Sequence, residues 1–219
     1  MKEKIRFSIN IVIVLLVLAG WTLCFLTVGG ALSSSGFENL KYFTVLSNLF
    51  EGLISLLWIV VWLVNKGKIG RWLECLKYVA TSAVFVTFTV VLVFLGPAYG
   101  MGNMYRGANL FFHLLVPIFA VLESVVLSET DFTWRANLFC MIPPFAYGVG
   151  YLVNILVNGV GVWPNTNDFY AFLTWGYPVG ILIFACIVAL SFVLGLAVRL
   201  LRKNIAEGFK REKKAEKSK

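Results

Sequence analysis

Charge is what this 219-residue chain has least of: 14% of its residues are Asp, Glu, Lys or Arg, against about 25% in a soluble globular protein. So few charges cannot make a water-facing surface, which excludes a soluble enzyme and a disordered regulator. Histidine is nearly absent, with His113 alone, so any chemistry that needs an imidazole has one residue to use. The four cysteines, Cys24, Cys75, Cys140 and Cys186, lie far apart and form no C-x-x-C pair. They offer no secreted disulfide framework and, with one histidine, no Cys/His zinc set. Buried free thiols are expected, with no metal and no other cofactor. Also missing are a Gly-rich phosphate loop, H-E-x-x-H and G-x-S-x-G, so nucleotide, zinc-protease and standard serine-lipase chemistry lack support.

In place of charge there are apolar runs: 59% of the chain is hydrophobic and 16% aromatic. A helix needs about 20 mainly apolar residues to cross the ~30 Å hydrocarbon layer. Six segments qualify, at about 7–29, 41–64, 73–95, 109–128, 135–157 and 170–201. Runs such as Ile11 to Ala19 and Val84 to Leu95 do not alternate in polarity, as barrel strands would. The expected fold is an all-α integral membrane protein, a six-transmembrane-helix bundle over residues 1–202, followed by a basic tail at 203–219 expected to fray. The first span, after Met1 to Arg6, resembles a signal peptide with a cleavage-like Gly29-Gly30-Ala31. Its apolar run is longer than the usual 7–15 residues, so it reads as a retained anchor. Asn39, Asn109 and Asn167 each precede a span and read as helix N-caps.

Basic residues set the orientation. Lys2, Lys4 and Arg6 precede span one, Lys66, Lys68, Arg71 and Lys77 surround the second connection, and nine of the 19 Lys and Arg lie in 199–219. Only Lys41 and Arg106 sit on the other side. The positive-inside rule therefore places both termini in the cytoplasm and connections 30–40, 96–108 and 158–169 outside. A basic segment straight after a span suits anionic lipid headgroups; nucleic acid is not an expected partner.

Polar side chains inside spans are costly and are the first functional suspects. Thr44, Asn48, Glu51 and Ser55 share one face of span two at offsets 0, 4, 7 and 11. Asn109, His113 and Glu123 make an approximate stripe on span four, with Pro117 between. Tyr147, Tyr151, Asn154 and Asn158 repeat the first spacing on span five. Facing inward, the three stripes would form one polar pocket. Counted from the expected caps, Thr44 and His113 both lie roughly 6–8 Å inside the outer helix starts, near the level of a lipid's ester linkage. Each stripe also has a structural reading, since Thr and Ser bond back to their own helix and Asn joins helices.

These residues resemble a known group. Lys41-Tyr42-Phe43-Thr44 is similar to a K-Y-x-T entry motif. Asn109, His113, Pro117 and Glu123 resemble an N-x-x-x-H motif followed by proline and by glutamate ten residues after the histidine. Tyr151 to Trp163-Pro164 resembles an aromatic-proline outer loop. The group is the androgen-induced and androgen-dependent-inhibitor-like family of six-span proteins, with bacterial relatives of the Pr6Pr type. The similarity is diffuse over most of residues 5–200. The proline falls four residues after His113 where the animal pattern has five, and Asn158 stands where animal members tend to carry histidine. Short loops and a basic tail look bacterial, which implies a multi-pass protein of the bacterial cytoplasmic membrane.

Animal members hydrolyse fatty acid esters of hydroxy fatty acids with an intramembrane threonine and a histidine, and the resemblance puts those roles on Thr44 and His113. The expected function is thus a lipid ester hydrolase with a membrane lipid substrate. Asn48 is the first candidate for oxyanion donor, with Lys41, Asn109, Tyr147, Tyr151 and Asn154 as further substrate-binding or oxyanion candidates. Two other classes stay open: a non-catalytic lipid-binding protein, and a proton or small-solute transporter with a path through Glu51, His113 and Glu123.

Overall fold

The computed structural model describes residues 2–26, 34–162 and 165–216. Gly29-Gly30-Ala31 and Trp163-Pro164 lie outside them. The described residues are all-helical, with no strand. Six helices are long and apolar enough to cross a membrane: α1 (Lys2–Leu26), α2 (Phe43–Val64), α3 (Arg71–Tyr99), α4 (Ala108–Leu127), α5 (Ala136–Asn158) and α6, whose apolar stretch is Tyr177–Gly208. Successive helices run antiparallel, so both chain ends and the connections 65–70 and 128–135 share one end of the bundle. Connections 34–42, 100–107 and 159–176 share the far end.

α3 stands at the centre of the bundle. Tyr78 of α3 donates its O–H to the Gly195 carbonyl of α6 at 2.7 Å, and its oxygen lies 3.1 Å from Asn137 Oδ1 of α5. Ser47 of α2 meets Thr87 of α3 at 3.2 Å. Apolar clusters close the rest, with Ile13 and Val17 of α1 against Val84 of α3 and Val116 and Ala120 of α4. The outward faces are apolar too: Leu53 is 64% exposed, Val93 69% and Leu182 62%. Water would penalise such a surface, whereas hydrocarbon matches it.

Prolines shape three of the long helices. Pro117 has no N–H and its ring crowds the carbonyl four residues back, that of His113. Phe111–Leu115 accordingly widens into a π turn, closed by Val116 N–H on the Phe111 carbonyl. A second π turn, Val91–Leu95, precedes Pro97 in α3, and Pro143-Pro144 follow the break at Met141 in α5.

Several boundaries differ from expectation. Residues 170–176 are turns, and α6 starts only at Tyr177. α6 then continues to Glu216, so the described part of the basic tail, 203–216, is helical where fraying was expected. Its Lys, Arg, Ala and Glu are good helix formers, and Lys203 faces Glu207 one turn on. None of the three expected asparagine caps acts as one. Asn39 lies inside the 3-10 turn Gly36–Lys41 and bonds Ser34 and Gly36; Tyr42 occupies the cap position of α2. Asn109 is already within α4, and Asn167 bonds the Gly159 carbonyl. All four cysteines are free, Cys24 and Cys140 buried and Cys186 exposed.

Candidate functional site

At the far end, Thr44 is the second residue of α2 and is partly exposed. Thr22 and Thr89 bond back to carbonyls one turn earlier in their own helices. Thr44 has no helical turn before it, and its hydroxyl bonds no described residue. His113 is buried in the first π turn of α4, with Nδ1 at 2.7 Å from the Met104 carbonyl. A carbonyl oxygen only accepts, so Nδ1 carries the proton and donates it. In the neutral ring Nε2 is then the acceptor, and it bonds no described residue. A backbone carbonyl thus fixes the imidazole tautomer that general-base chemistry requires.

Asn48 ties these two elements together. Its Nδ2 donates to the Thr44 carbonyl at 2.7 Å and to the Phe112 carbonyl at 3.0 Å. One amide nitrogen therefore holds the backbone of the hydroxyl residue and that of the residue before the histidine. Thr44 and His113 are not hydrogen-bonded to each other. The equal depth counted from asparagine caps is also corrected, since α2 starts at Phe43 and α4 at Ala108; their common level rests on Asn48.

The expected donor role of Asn48 is corrected by the same bonds. Both its amide protons face backbone carbonyls, and the atom left without a partner is the acceptor Oδ1. Tyr147 donates to the Lys41 carbonyl at 2.6 Å, and Tyr151 to Asp168 at 2.6 Å. Asn154 donates to Asn167 and accepts from Asn158. The polar stripe of α5 therefore fastens the 165–176 connection instead of offering free donors. Asn109 is partly buried without a side-chain hydrogen bond. Lys41 Nζ lies over the rings of Tyr42 and Phe169, at 5.4 and 5.5 Å, with no carboxylate partner among the described residues.

Two residues of the connection itself gave no sequence signal. Asp168 is buried and accepts from Tyr151 and from the Phe172 and Leu173 amides. That pins Tyr170, whose hydroxyl accepts the Phe43 N–H at 3.0 Å and faces the Thr44 N–H. Burial pushes the Tyr170 phenol well above the usual tyrosine range, so it stays a neutral O–H. Around it stand Tyr42, Tyr147, Tyr151, Phe169 and Phe172, with ring centroids 5.1 to 6.4 Å from its own for four of them. A phenol flanking an aromatic cluster could have been suspected only with the loop's fold in hand.

Glu51 and Glu123 belong elsewhere. Glu51 pairs with Lys77, which also donates to Ser55. Glu123 pairs with Arg6, whose other nitrogens hold Glu74 at 2.7 Å. Trp58 and Ser128 also donate to Glu74. Arg6 and Lys77, counted from sequence among the basic residues that set the orientation, are 7% and 2% exposed. The single pocket expected from three stripes is therefore two separate polar clusters, and His113 is not in the one that holds the glutamates. A cavity of about 190 Å³ opens at the termini end, lined by Lys2, Arg6, Trp58, Trp62, Glu74 and Glu129 among others.

Fold and site define a class: an all-α protein with six helices long and apolar enough to cross a membrane, carrying one polar cluster toward each end. No family model, no curated protein and no solved structure matches the chain.

Proposed function

We propose that the chain is an intramembrane lipid ester hydrolase with Thr44 as nucleophile and His113 as general base. One observation carries the reading. The histidine has its Nδ1 proton fixed on the Met104 carbonyl and its Nε2 free, in a turn held by Asn48 to the residue with the uncommitted hydroxyl. A structural histidine and a structural threonine would more often bond their surroundings with every polar atom. The motifs shared with the androgen-induced family point to the same two residues.

In the reaction, Nε2 of His113 takes the Thr44 proton as Oγ1 bonds to the ester carbonyl carbon. The tetrahedral intermediate expels the alcohol oxygen, which receives the proton from His113. Water, deprotonated by His113, then splits the acyl-threonine, and the proton returns to Thr44 Oγ1. Forming the Thr44–His113 hydrogen bond takes a side-chain rotation on substrate binding, since the two are unbonded without it. The oxyanion needs donors placed beforehand. Tyr170 fits that role: its oxygen accepts from the Phe43 amide, and its O–H, which meets the Tyr147 hydroxyl before substrate binds, would turn to the oxyanion.

The substrate class is a fatty acid ester of a hydroxy fatty acid or a similar lipid ester. Its acyl chains would lie among the rings of Tyr42, Tyr147 and Phe169, and Lys41 would meet an anionic headgroup or carboxylate at the rim. Basic flanks orient both termini and the α6 extension to the cytoplasm, with Thr44 in the outer leaflet of a bacterial cytoplasmic membrane.

The test is fatty acid release from such an ester in vesicles containing the purified chain. Release should be lost in Thr44→Ala and in His113→Ala and retained in part by Thr44→Ser. Full release by Thr44→Ala would sink the proposal.

A further inference from the structure

The second polar cluster carries an imbalance that the hydrolase reading does not use. Five ionisable side chains meet in the interior toward the termini end: Arg6 of α1, Glu51 of α2, Glu74 and Lys77 of α3, and Glu123 of α4. All are 7% exposed or less, and Glu51 and Glu123 are fully buried. Three carboxylates face two cations, which leaves one uncompensated negative charge. Two further cations stand nearby: Arg202 of α6 also feels the Glu74 charge, and Arg199, one of whose nitrogens is buried without a partner, faces Tyr78 and Arg202. Arg202 of α6 is balanced by Asp131 at 3.2 Å and Lys2 by Glu129 at 3.6 Å; Glu3 is exposed at the cavity rim. A lone buried charge in a low-dielectric medium is neutralised rather than tolerated.

The hydrogen bonds show where neutralisation falls. Glu74 has both oxygens engaged, by Arg6, Trp58 and Ser128. Glu51 and Glu123 each use Oε1 on a fixed cation, and each has a buried Oε2 without a partner. The two carboxyls attach to α3 one turn apart, Glu51 at Lys77 and Glu123 through Arg6 at Glu74. Two orphaned acceptors cannot satisfy one another, but a proton on one converts it to a donor. Asn10 Oδ1, one turn beyond Arg6, and Thr81 Oγ1, one turn beyond Lys77, are further buried oxygens without partners. A metal cation fits worse, because it would sit between the Arg6 and Lys77 charges.

We infer that the Glu51–Glu123 pair is a proton-binding site holding one exchangeable proton per chain. Its access is the cavity of about 190 Å³, whose lining includes Arg6 and Glu74. That is room for several waters at about 30 Å³ each. Water there meets Arg6 and Glu74; neither glutamate of the pair lines the cavity, so proton exchange takes a transient opening of the Arg6 contacts. The site stands apart from Thr44 and His113 and does not depend on their chemistry.

The experiment is infrared spectroscopy of the full chain at pH 8 in maltoside micelles, which contain no ester carbonyl, comparing H₂O with D₂O. The wild type should show one deuterium-sensitive protonated-carboxyl band per chain, unchanged in Thr44→Ala. Glu51→Gln and Glu123→Gln each remove one negative charge, so each should abolish the band. Lys77→Met adds an imbalance and should double it, and Lys77→Met with Glu51→Gln should restore one. The wild-type spectrum decides even where a lysine variant fails to fold. Absence of the band, its persistence in both glutamine variants, or a sodium-dependent shift of the carboxylate bands in its place would overturn the inference.

Discussion

At the scale of single residues, the two ends of the bundle treat polar atoms differently. Near the termini, charges are paired and enclosed. At the far end, Thr44 Oγ1 and His113 Nε2 bond no described residue, and Asn48 joins the two backbones that carry them. The roles are separable by kinetics. Tyr170→Phe removes one oxyanion donor, so kcat should fall about 10²–10³-fold while the apparent affinity for the lipid ester changes little. Asp168→Asn weakens the anchor of Tyr170 without touching substrate, so it should lower kcat less than Tyr170→Phe does. Equal rates for Tyr170→Phe and wild type would remove Tyr170 from the site. His113 stands out in the sequence as the lone histidine, whereas Thr44 is one hydroxyl among many and is singled out by the resemblance of Lys41-Tyr42-Phe43-Thr44 to a family motif. Tyr170 and Asp168 do not stand out, because a turn has no periodicity to mark which of its side chains points inward. The ion pairs of Lys77 and Arg6 were not legible either: the charge count near a span end does not say whether a long side chain reaches water or turns into the bundle.

At the scale of helices, the sequence located all six but missed what ends and bends them. Periodicity and apolar length placed each span, while Asn39, Asn109 and Asn167 proved to be loop or first-turn residues. The consequential irregularity is the π turn at Phe111–Leu115, which Pro117 favours and which carries His113. Close packing holds that turn from the other side. A Cβ on Gly20 of α1 would stand 2.6 Å from Phe112 Cε1, and one on Gly52 would stand 2.8 Å from Val17 Cγ1. Gly20→Ala therefore forces Phe112, and with it His113, to shift. We expect a loss of about 1–3 kcal/mol in stability together with reduced ester hydrolysis. Thermal unfolding and turnover measured on one preparation check both, and unchanged turnover would show that α1 does not position the histidine.

At the scale of the whole molecule, the charge pattern that suggests an orientation also joins the helices. Arg6 connects α1 to α3 and α4 through Glu74 and Glu123. Replacing it with Met leaves two buried carboxylates without their cation, for which about 3–5 kcal/mol of destabilisation is expected; a denaturation midpoint equal to wild type would contradict that. The proposed orientation has its own check. Asn65 and Asn165 are exposed in connections at opposite ends. A membrane-impermeant maleimide should label Asn165→Cys in intact cells and Asn65→Cys only after permeabilisation. The reverse pattern would invert the protein and move Thr44 to the inner leaflet.

The central claim is that Thr44 is an activated nucleophile, and active-site labelling addresses it most directly. Purified, lipid-reconstituted protein is treated with a fluorophosphonate and the adduct is mapped by mass spectrometry, alongside Thr44→Ala and His113→Ala. The account predicts a stoichiometric adduct on Thr44 that is absent in Thr44→Ala and strongly slowed in His113→Ala. A folded wild-type sample with no adduct at Thr44, or one whose labelling rate is indifferent to His113, would contradict it.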